Sequence, residues 1–323
     1  MTSVKAADGS TVQKVTITNG PARAQLISYG ATLTEFRLEG IPYSLALGSP
    51  DPENYFGKMR YFGAIVGPIA NRIAQGQALL DGQNLKLAVN ENGNALHGGP
   101  EGISQKNWQV DELESDRVIF SVRTSDGESG LPGPLEIKVS YSIQNDGALK
   151  IEMSAESEKP TFCNPAFHGY WCLNNEGLSG HKLTIHADHF LPTNEALIPT
   201  GEIQSVDGTP YDLRQPKALP AEISLDTNFC LNGSELREAA RLETDELAMI
   251  VETDAPGLQV YDADRLDTSP VLGHSGNPYG GHAGIAMEPQ VWPDAPNQPN
   301  FPSITLRPGE RFSQTSFFRF IRK

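Results

Sequence analysis

The chain has 323 residues and a formal net charge of −15, so it lacks the clustered cations with which proteins grip nucleic acid or an anionic lipid surface. An apolar share of 38% with 31 glycines and 24 prolines excludes a coiled coil or a disordered chain and describes a turn-rich globular protein. The opening residues, Met-Thr-Ser-Val-Lys-Ala-Ala-Asp-Gly-Ser, show no apolar core between basic flanks and a small-residue cleavage site, and no later stretch is long enough to span a bilayer. The expectation is a soluble, cytoplasmic protein with no nucleic-acid or membrane partner.

Strand signals begin early. Val15 and Ile17, then Ala31 and Leu33, stand two residues apart, the period of a strand with one buried face. Val118, Phe120 and Val122 repeat it. The clearest run alternates Leu135, Ile137, Val139, Tyr141 and Ile143 with Glu136, Lys138, Ser140 and Ser142. Asn145, Asp146 and Gly147 supply a turn, and Leu149, Ile151 and Met153 resume the alternation, which predicts an antiparallel hairpin. Further strands are expected around Leu183 and Ile185, around Leu258 and Val260, and from Phe312 to Phe320. Helical periodicity is scarce: residues 234–242, with Ser234 as N-cap, are the best candidate helix and read equally as a strand connection.

No proline- or serine-rich linker and no fixed-period repeat divides the chain, so residues 1–323 are expected to form a single domain. The class is all-β, with antiparallel sheets packed as a sandwich. Cys163, Cys172 and Cys230 cannot all pair and form no Cys-x-x-Cys array, which fits three buried thiols in a reducing compartment.

Four separated segments are richer in polar, glycine and aromatic residues than a plain β framework needs, which marks loops and strand ends shaped around a ligand. They are Gly-Pro-Ile-Ala-Asn-Arg-Ile (67–73), Asn-Ala-Leu-His-Gly-Gly (94–99), Asn-Pro-Ala-Phe-His-Gly-Tyr-Trp-Cys-Leu-Asn (164–174), and 284–301 with Met-Glu-Pro-Gln-Val-Trp-Pro-Asp at its centre. In this order they resemble the aldose 1-epimerase, or galactose mutarotase, family. The likeness extends through Leu-Pro-Thr-Asn (191–194), Ile-Pro-Thr-Gly-Glu (198–202), Leu-Asp-Thr-Asn-Phe (225–229), Pro-Gly-Leu-Gln-Val-Tyr (256–261) and Pro-Gly-Glu (308–310), nearly the whole chain. It implies a large antiparallel β-sandwich of the galactose mutarotase-like supersandwich type and a monosaccharide as partner.

Anomer exchange opens the hemiacetal ring, rotates about C1–C2 and recloses on the other face, which takes a base at the C1 hydroxyl and an acid at the ring oxygen. No metal and no redox cofactor is required. By resemblance Glu288 is the base and His168 the acid. His97 is then a second donor near the ring oxygen, Arg72 and Asn71 hydroxyl ligands, and Asp226 an acceptor for two hydroxyls. Gln290, two residues beyond Glu288 on a strand, is expected on the same face. Tyr170, Trp171 or Trp292 would pack on the sugar's apolar face or in the core. Five positions depart from the usual family pattern and bear on substrate preference: Pro68, Trp171, Cys172, Thr227 and Pro289.

Two other patterns point elsewhere. His181, His186 and His189 approach metal-ligand spacing, but on an extended strand His186 and His189 face opposite ways and read as solvated or structural. The glycine-rich segment 273–284 lacks a phosphate-loop ending and reads as a rim or lid loop beside Glu288. The alternatives to a mutarotase are a sugar-binding or sensor protein on the same scaffold, which needs no acid and base straddling C1, and a sugar-phosphate epimerase, which would want more cations than Arg72 in the matched segments.

Overall fold

The computed structural model describes residues 4–219 and 224–323, so the first three residues of the amino-terminal stretch lie outside it. The predicted hairpin is present: Leu135–Ile143 pairs with Leu149–Ser157 in register from Leu135 opposite Ser157 to Ile143 opposite Leu149. Its turn closes through Gln144 N–H to the Ala148 carbonyl at 2.8 Å, with Gly147 at φ +82°. Apolar residues at alternate positions are buried along both strands. Arg117–Thr124 pairs on the other side of Leu135–Ile143, as the Val118, Phe120 and Val122 alternation predicts.

These strands sit within a nine-stranded antiparallel sheet. Its centre is Leu247–Thr253, Phe312–Arg322 and Leu149–Ser157, with the carboxy-terminal strand paired on both sides. The segment read as a possible helix is a strand of this sheet, Arg237–Glu243, between Lys182–Ile185 and Leu247–Thr253. The correction has a physical cause. A bulge between Glu238 and Ala240 buries both Ala239 and Ala240, which produces the paired apolar spacing that mimics a helical stripe. Main-chain pairing with Leu247–Thr253 on one edge, and with Lys182–Ile185 over Ala240 to Glu243 on the other, takes the place of helical hydrogen bonds, and only short 3₁₀ turns are helical among the described residues.

A second sheet of six strands runs Tyr170–Trp171, Ile285–Gln290, Gly257–Tyr261, Asp226–Leu231, Ala187–Phe190 and Gln204–Ser205. Its register puts Asn228 opposite Gln259 and Gln259 opposite Glu288. Opposed residues share a face, so Phe229, Leu258, Val260, Ile285 and Met287 point into the main core while Asp226, Asn228, Gln259 and Glu288 point away from it.

The main core fills the space between the two sheets. Tyr141, Phe167, Trp171, Phe318 and Phe320 meet there at ring-centroid separations of 5.0 to 6.3 Å, mostly edge-on or tilted. Trp171 is fully buried in this cluster, and Cys172 is buried beside it. The Trp171 departure is therefore a packing change in the main core, while Cys172 packs in a separate apolar cluster with Tyr170 and Ala286. Pro289 also points inward, and its carbonyl accepts from Gln314 Nε2 at 2.9 Å. Proline is tolerated there because the neighbouring strand pairs only with Ile285 and Ala286 and has ended before Pro289. No helix among the described residues is long and apolar enough to cross a membrane.

Candidate active site

The polar face of the six-stranded sheet forms the floor of a cleft of ≈ 530 Å³, the size of a small-ligand site. Asn71, Arg72, His97, His168, Asp226 and Glu288 all line it, so six of the seven residues singled out in the sequence converge although they span more than two hundred positions. A larger groove of ≈ 980 Å³ around Lys106 and Arg123 brings together no comparable acid and base pair.

Glu288 is 2% exposed, and its Oε2 has no hydrogen-bond partner. Its Oε1 lies 3.4 Å from His168 Nε2. His168 follows the short Ala166–Phe167 strand and is pinned through its backbone, its N–H donating to the Ala64 carbonyl at 2.9 Å and its carbonyl accepting from Gly63 N–H at 2.8 Å. Burial drives the two groups in opposite directions. It pushes the Glu288 carboxyl well above the usual carboxylate range, with Asp226 adding to the rise and Arg72 opposing it. It lowers His168 to about 4. Both shifts nevertheless have one sense: burial favours the uncharged pair, a protonated carboxyl beside a neutral imidazole, and one proton transfer across the 3.4 Å gap converts that pair into carboxylate and imidazolium.

His97 reaches the cleft through two residues in left-handed backbone, His97 itself at φ 51° and Asn71 at φ 60°. They lock together: His97 N–H donates to the Asn71 carbonyl at 3.0 Å, and Asn71 N–H donates to His97 Nδ1 at 3.1 Å. A backbone N–H is always a donor, so Nδ1 must carry the lone pair and the ring hydrogen sits on Nε2, facing the cleft. The motif glycine Gly98, at φ +84°, lets this turn form, since a Cβ there would stand 2.0 Å from the Gly67 carbonyl oxygen. Burial, with the fields of His168 and Arg72, holds the His97 pKa well below the ordinary histidine value.

Arg72 opens a two-residue strand paired with Ala95–Leu96. Its Nε and Nη2 donate to the Glu91 carboxylate at 2.5 and 3.0 Å, and its Nη1 lies 3.6 Å from Asp226 Oδ2. Burial disfavours its charge, but Glu91 and Asp226 outweigh that and leave its pKa above the usual arginine value. Asp226 also accepts from Gln259 Nε2 at 2.6 Å. Burial nevertheless raises its carboxyl.

Asn71 spends its side-chain oxygen on the Arg72 N–H at 2.8 Å, so it shapes the turn as well as facing the cleft. Gln290 shares the face of Glu288, as the two-residue spacing implies, yet its amide is fully buried and stands outside the cleft wall, with Nε2 donating to the Val291 carbonyl at 3.3 Å. Tyr170 is the one predicted aromatic that lines the cleft. Trp292 packs edge-on against Phe301 instead, its Nε1 donating to the Pro256 carbonyl at 3.0 Å.

Two residues of the cleft, Tyr61 and Glu91, and one behind it, Gln259, are not singled out in the sequence. Tyr61 stacks on His168 at 6.0 Å and meets His97 edge-on at 4.8 Å. Gln259 lies within the matched segment 256–261, and only the strand register reveals that it stands between Asp226 and Glu288. Glu91 is an acidic residue in a turn until the fold sets it against Arg72.

The rim expectation needs correction. Segment 273–284 does not line the cleft: Tyr279 stacks on Phe62 at 5.9 Å and its hydroxyl donates to the Gly48 carbonyl at 3.0 Å, while His274 Nε2 meets the Thr34 carbonyl at 2.6 Å. The tyrosine anchors the glycine-rich turn against Phe62 and Gly48. The rim is built instead by Thr193 with Glu195, Ala196 and Leu197, and by Asp264 with Arg265. The first of these loops closes on itself through a bridge between Thr193 and Pro199 and through Asn194 Oδ1, which accepts from the Ala196 and Ile198 N–H groups.

Among the described residues, His97, His168 and Glu288 form the one set of three whose ligating atoms lie within 4.8 Å of one another. A cation would need a lone pair on the cleft nitrogen of His97, where the Asn71 contact places a hydrogen, so the set is built to offer donors and acceptors to hydroxyl groups. The other histidines are dispersed: His181 is buried with Nε2 accepting from Leu173 N–H at 2.9 Å, His186 pairs with Glu238 at 3.5 Å, and His189 is exposed.

The sequence profile of the aldose 1-epimerase family matches residues 13–319. The chain is 41% identical over 325 residues to a galactose mutarotase of Bos taurus, covering 96% of this chain and 94% of that one. It is 33% identical over 342 residues to an aldose 1-epimerase of Escherichia coli K12, covering 99% and 98%. Among solved structures, an aldose epimerase homologue from C. elegans superposes with a TM-score of 0.92 at 28% identity, covering 97% of this chain and 99% of that one. A galactose 1-epimerase from Lactobacillus acidophilus gives 0.87 at 29%, covering 99% and 98%.

Proposed function

The chain belongs to the aldose 1-epimerase family and is an enzyme that interconverts the anomers of an aldose; on that premise we propose that Glu288 and His168 are its base and acid. The observation that carries this is the buried contact of 3.4 Å between Glu288 Oε1 and His168 Nε2, with Glu288 Oε2 unbonded and the N–H of His97 beside them.

In this reading the C1 hydroxyl of a bound pyranose donates to Glu288 Oε2. That bond, with the nearby charge of Arg72, favours the carboxylate and sends the shared proton to His168. Glu288 then removes the O1 proton as the C1–O5 bond breaks and His168 protonates O5, leaving an aldehyde at C1 and a hydroxyl at C5. Rotation about C1–C2 exposes the other face. O5 adds to C1, His168 recovers the proton and Glu288 returns its own to O1, so the pair ends as it began. His97 donates toward the ring oxygen from its neutral Nε2–H, while Arg72 and Asp226, the latter oriented by Gln259, hold hydroxyl groups. The two transfers are completed by side chains alone.

The substrate is a neutral monosaccharide, and similarity to galactose mutarotases puts D-galactose first on the panel. Saturation-transfer NMR on D-galactose, D-glucose and D-xylose tests the reading. The wild type should accelerate exchange of at least one of them, and His168→Asn should be slower by about 10²- to 10⁴-fold. Full activity in that variant would remove His168 from the reaction.

A further inference from the structure

We propose that Glu91 is a specificity-determining residue: it holds the Arg72 guanidinium against the cleft wall and thereby denies this buried cation to sugars that carry a carboxylate. The inference rests on the cleft being the aldose site.

Three observations carry it. First, the contact is two-pronged, Nε to Oε2 at 2.5 Å and Nη2 to Oε1 at 3.0 Å, the geometry in which a guanidinium fork is saturated by one carboxylate. The remaining arm, Nη1, faces Asp226 at 3.6 Å. Second, the Glu91 side chain has no other hydrogen-bond partner among the described residues. Its turn is closed by backbone alone, Asn94 N–H to the Glu91 carbonyl at 2.7 Å and Glu91 N–H to the Asn94 carbonyl at 3.2 Å, with Asn92 at φ 46° and Gly93 at φ 83° in the tight two-residue form. The carboxylate is therefore not needed to build the loop that carries it. Third, the charge of Arg72 is already offset by two carboxylates, Glu91 and Asp226, that line the same cleft. Arg265 is the second cation of the lining, but it is exposed at the rim.

A neutral aldose meets this arrangement as a set of fixed acceptors and one oriented donor. A hexuronate brings a further negative charge toward two carboxylates and finds the fork occupied, and like charges set side by side away from water are strongly disfavoured. Without the Glu91 charge, Nε and Nη2 of Arg72 become a free site for the substrate carboxylate, while neutral sugars lose an orienting contact.

The experiment compares D-galacturonate with D-galactose in the wild type, Glu91→Gln, Glu91→Ala and Glu91→Asp. Melting curves establish folding, and calorimetric binding of both sugars is recorded beside NMR exchange. Glu91→Gln and Glu91→Ala should raise the ratio of kcat/KM for galacturonate over galactose by roughly tenfold or more, and the binding ratio with it. KM for galactose should rise while kcat stays within about threefold, because the contact orients substrate and takes no part in proton transfer. Glu91→Asp keeps the charge and should keep the wild-type ratio. Ratios unchanged within about twofold in both neutral variants overturn the proposal. The binding ratio is read whether or not exchange is accelerated, so an error about the reaction and an error about Glu91 give different results.

Discussion

Replacing Glu288 by Gln changes one oxygen to an amide nitrogen in a site that is 2% exposed, so it removes the base without opening a void. No other carboxylate on that face can take over. Asp226 sits two residues along and two strands across, tied by Gln259 at 2.6 Å and near Arg72 at 3.6 Å. A positioned base accounts for about 10² to 10⁴ in rate, or about 3 to 5 kcal/mol of barrier, and kcat for D-galactose should fall by that factor. KM should move by less than about threefold, since the hydroxyl ligands remain.

The same substitution should stabilise the fold. The native Glu288 carboxyl titrates well above the ordinary 4.5, so in the window between those values the native chain keeps a proton that the unfolded chain has released. Stability contributed at this position therefore falls as pH rises, by up to about 1.4 kcal/mol per pH unit, and glutamine is free of that loss. Polarimetry of α-D-galactose and melting curves at about pH 5 and pH 8 provide both readings, the gain in Tm being larger at the higher pH. A variant that keeps more than about a tenth of wild-type kcat, or melts below the wild type at pH 8, would refute the assignment of Glu288 as a buried base.

The wild-type rate should persist well below the ordinary histidine pKa of 6.5 and fall only as the pair takes a second proton, with His168 lowered to about 4 by burial. An acid limb centred near 6.5 in kcat/KM measured by NMR exchange would contradict that environment. Gly98→Ala places a Cβ 2.0 Å from the Gly67 oxygen at φ +84°. It should lower Tm by several degrees, as expected for about 1 to 3 kcal/mol of strain, and cut kcat by roughly tenfold through misplacement of His97. Gln259→Leu removes the 2.6 Å bond to Asp226 and should raise KM for galactose about tenfold with a small change in kcat, read from initial-rate polarimetry.

Much of this architecture is legible in the chain because its strands alternate cleanly. Leu135 to Ile143 can bury one side only, and Asn145, Asp146 and Gly147 leave one short way back. Convergence of the motifs on one cleft is legible through their order, and Gly98 shows why a motif glycine is irreplaceable. What escapes the sequence is set by pairing between distant segments. The partners of Glu288 on the sheet are Gln259 and Asn228, and nothing local to any of the three announces the others. Glu91 joins Arg72 only once the Ala95–Leu96 strand has brought its turn across. The two misreadings have local causes: the bulge at Glu238 and Ala240 copies a helical stripe, and segment 273–284 has a flexible composition but is fastened by Tyr279.

The rim loop from Thr193 to Pro199 is closed by its own bridge and by the side chain of Asn194, and it adds no rung to the ladder that carries Glu288. Its geometry is therefore separable from the proton-transfer pair. Slipping the floor strands by one residue would turn Glu288 into the core and bring Met287 or Pro289 into the cleft, destroying fold and chemistry together. Exchanging the rim loop would alter only the mouth. The molecule thus behaves as a fixed reaction chamber with an interchangeable collar, and loop grafts between Thr193 and Pro199 offer a way to widen the range of sugars admitted without retuning the acid and the base.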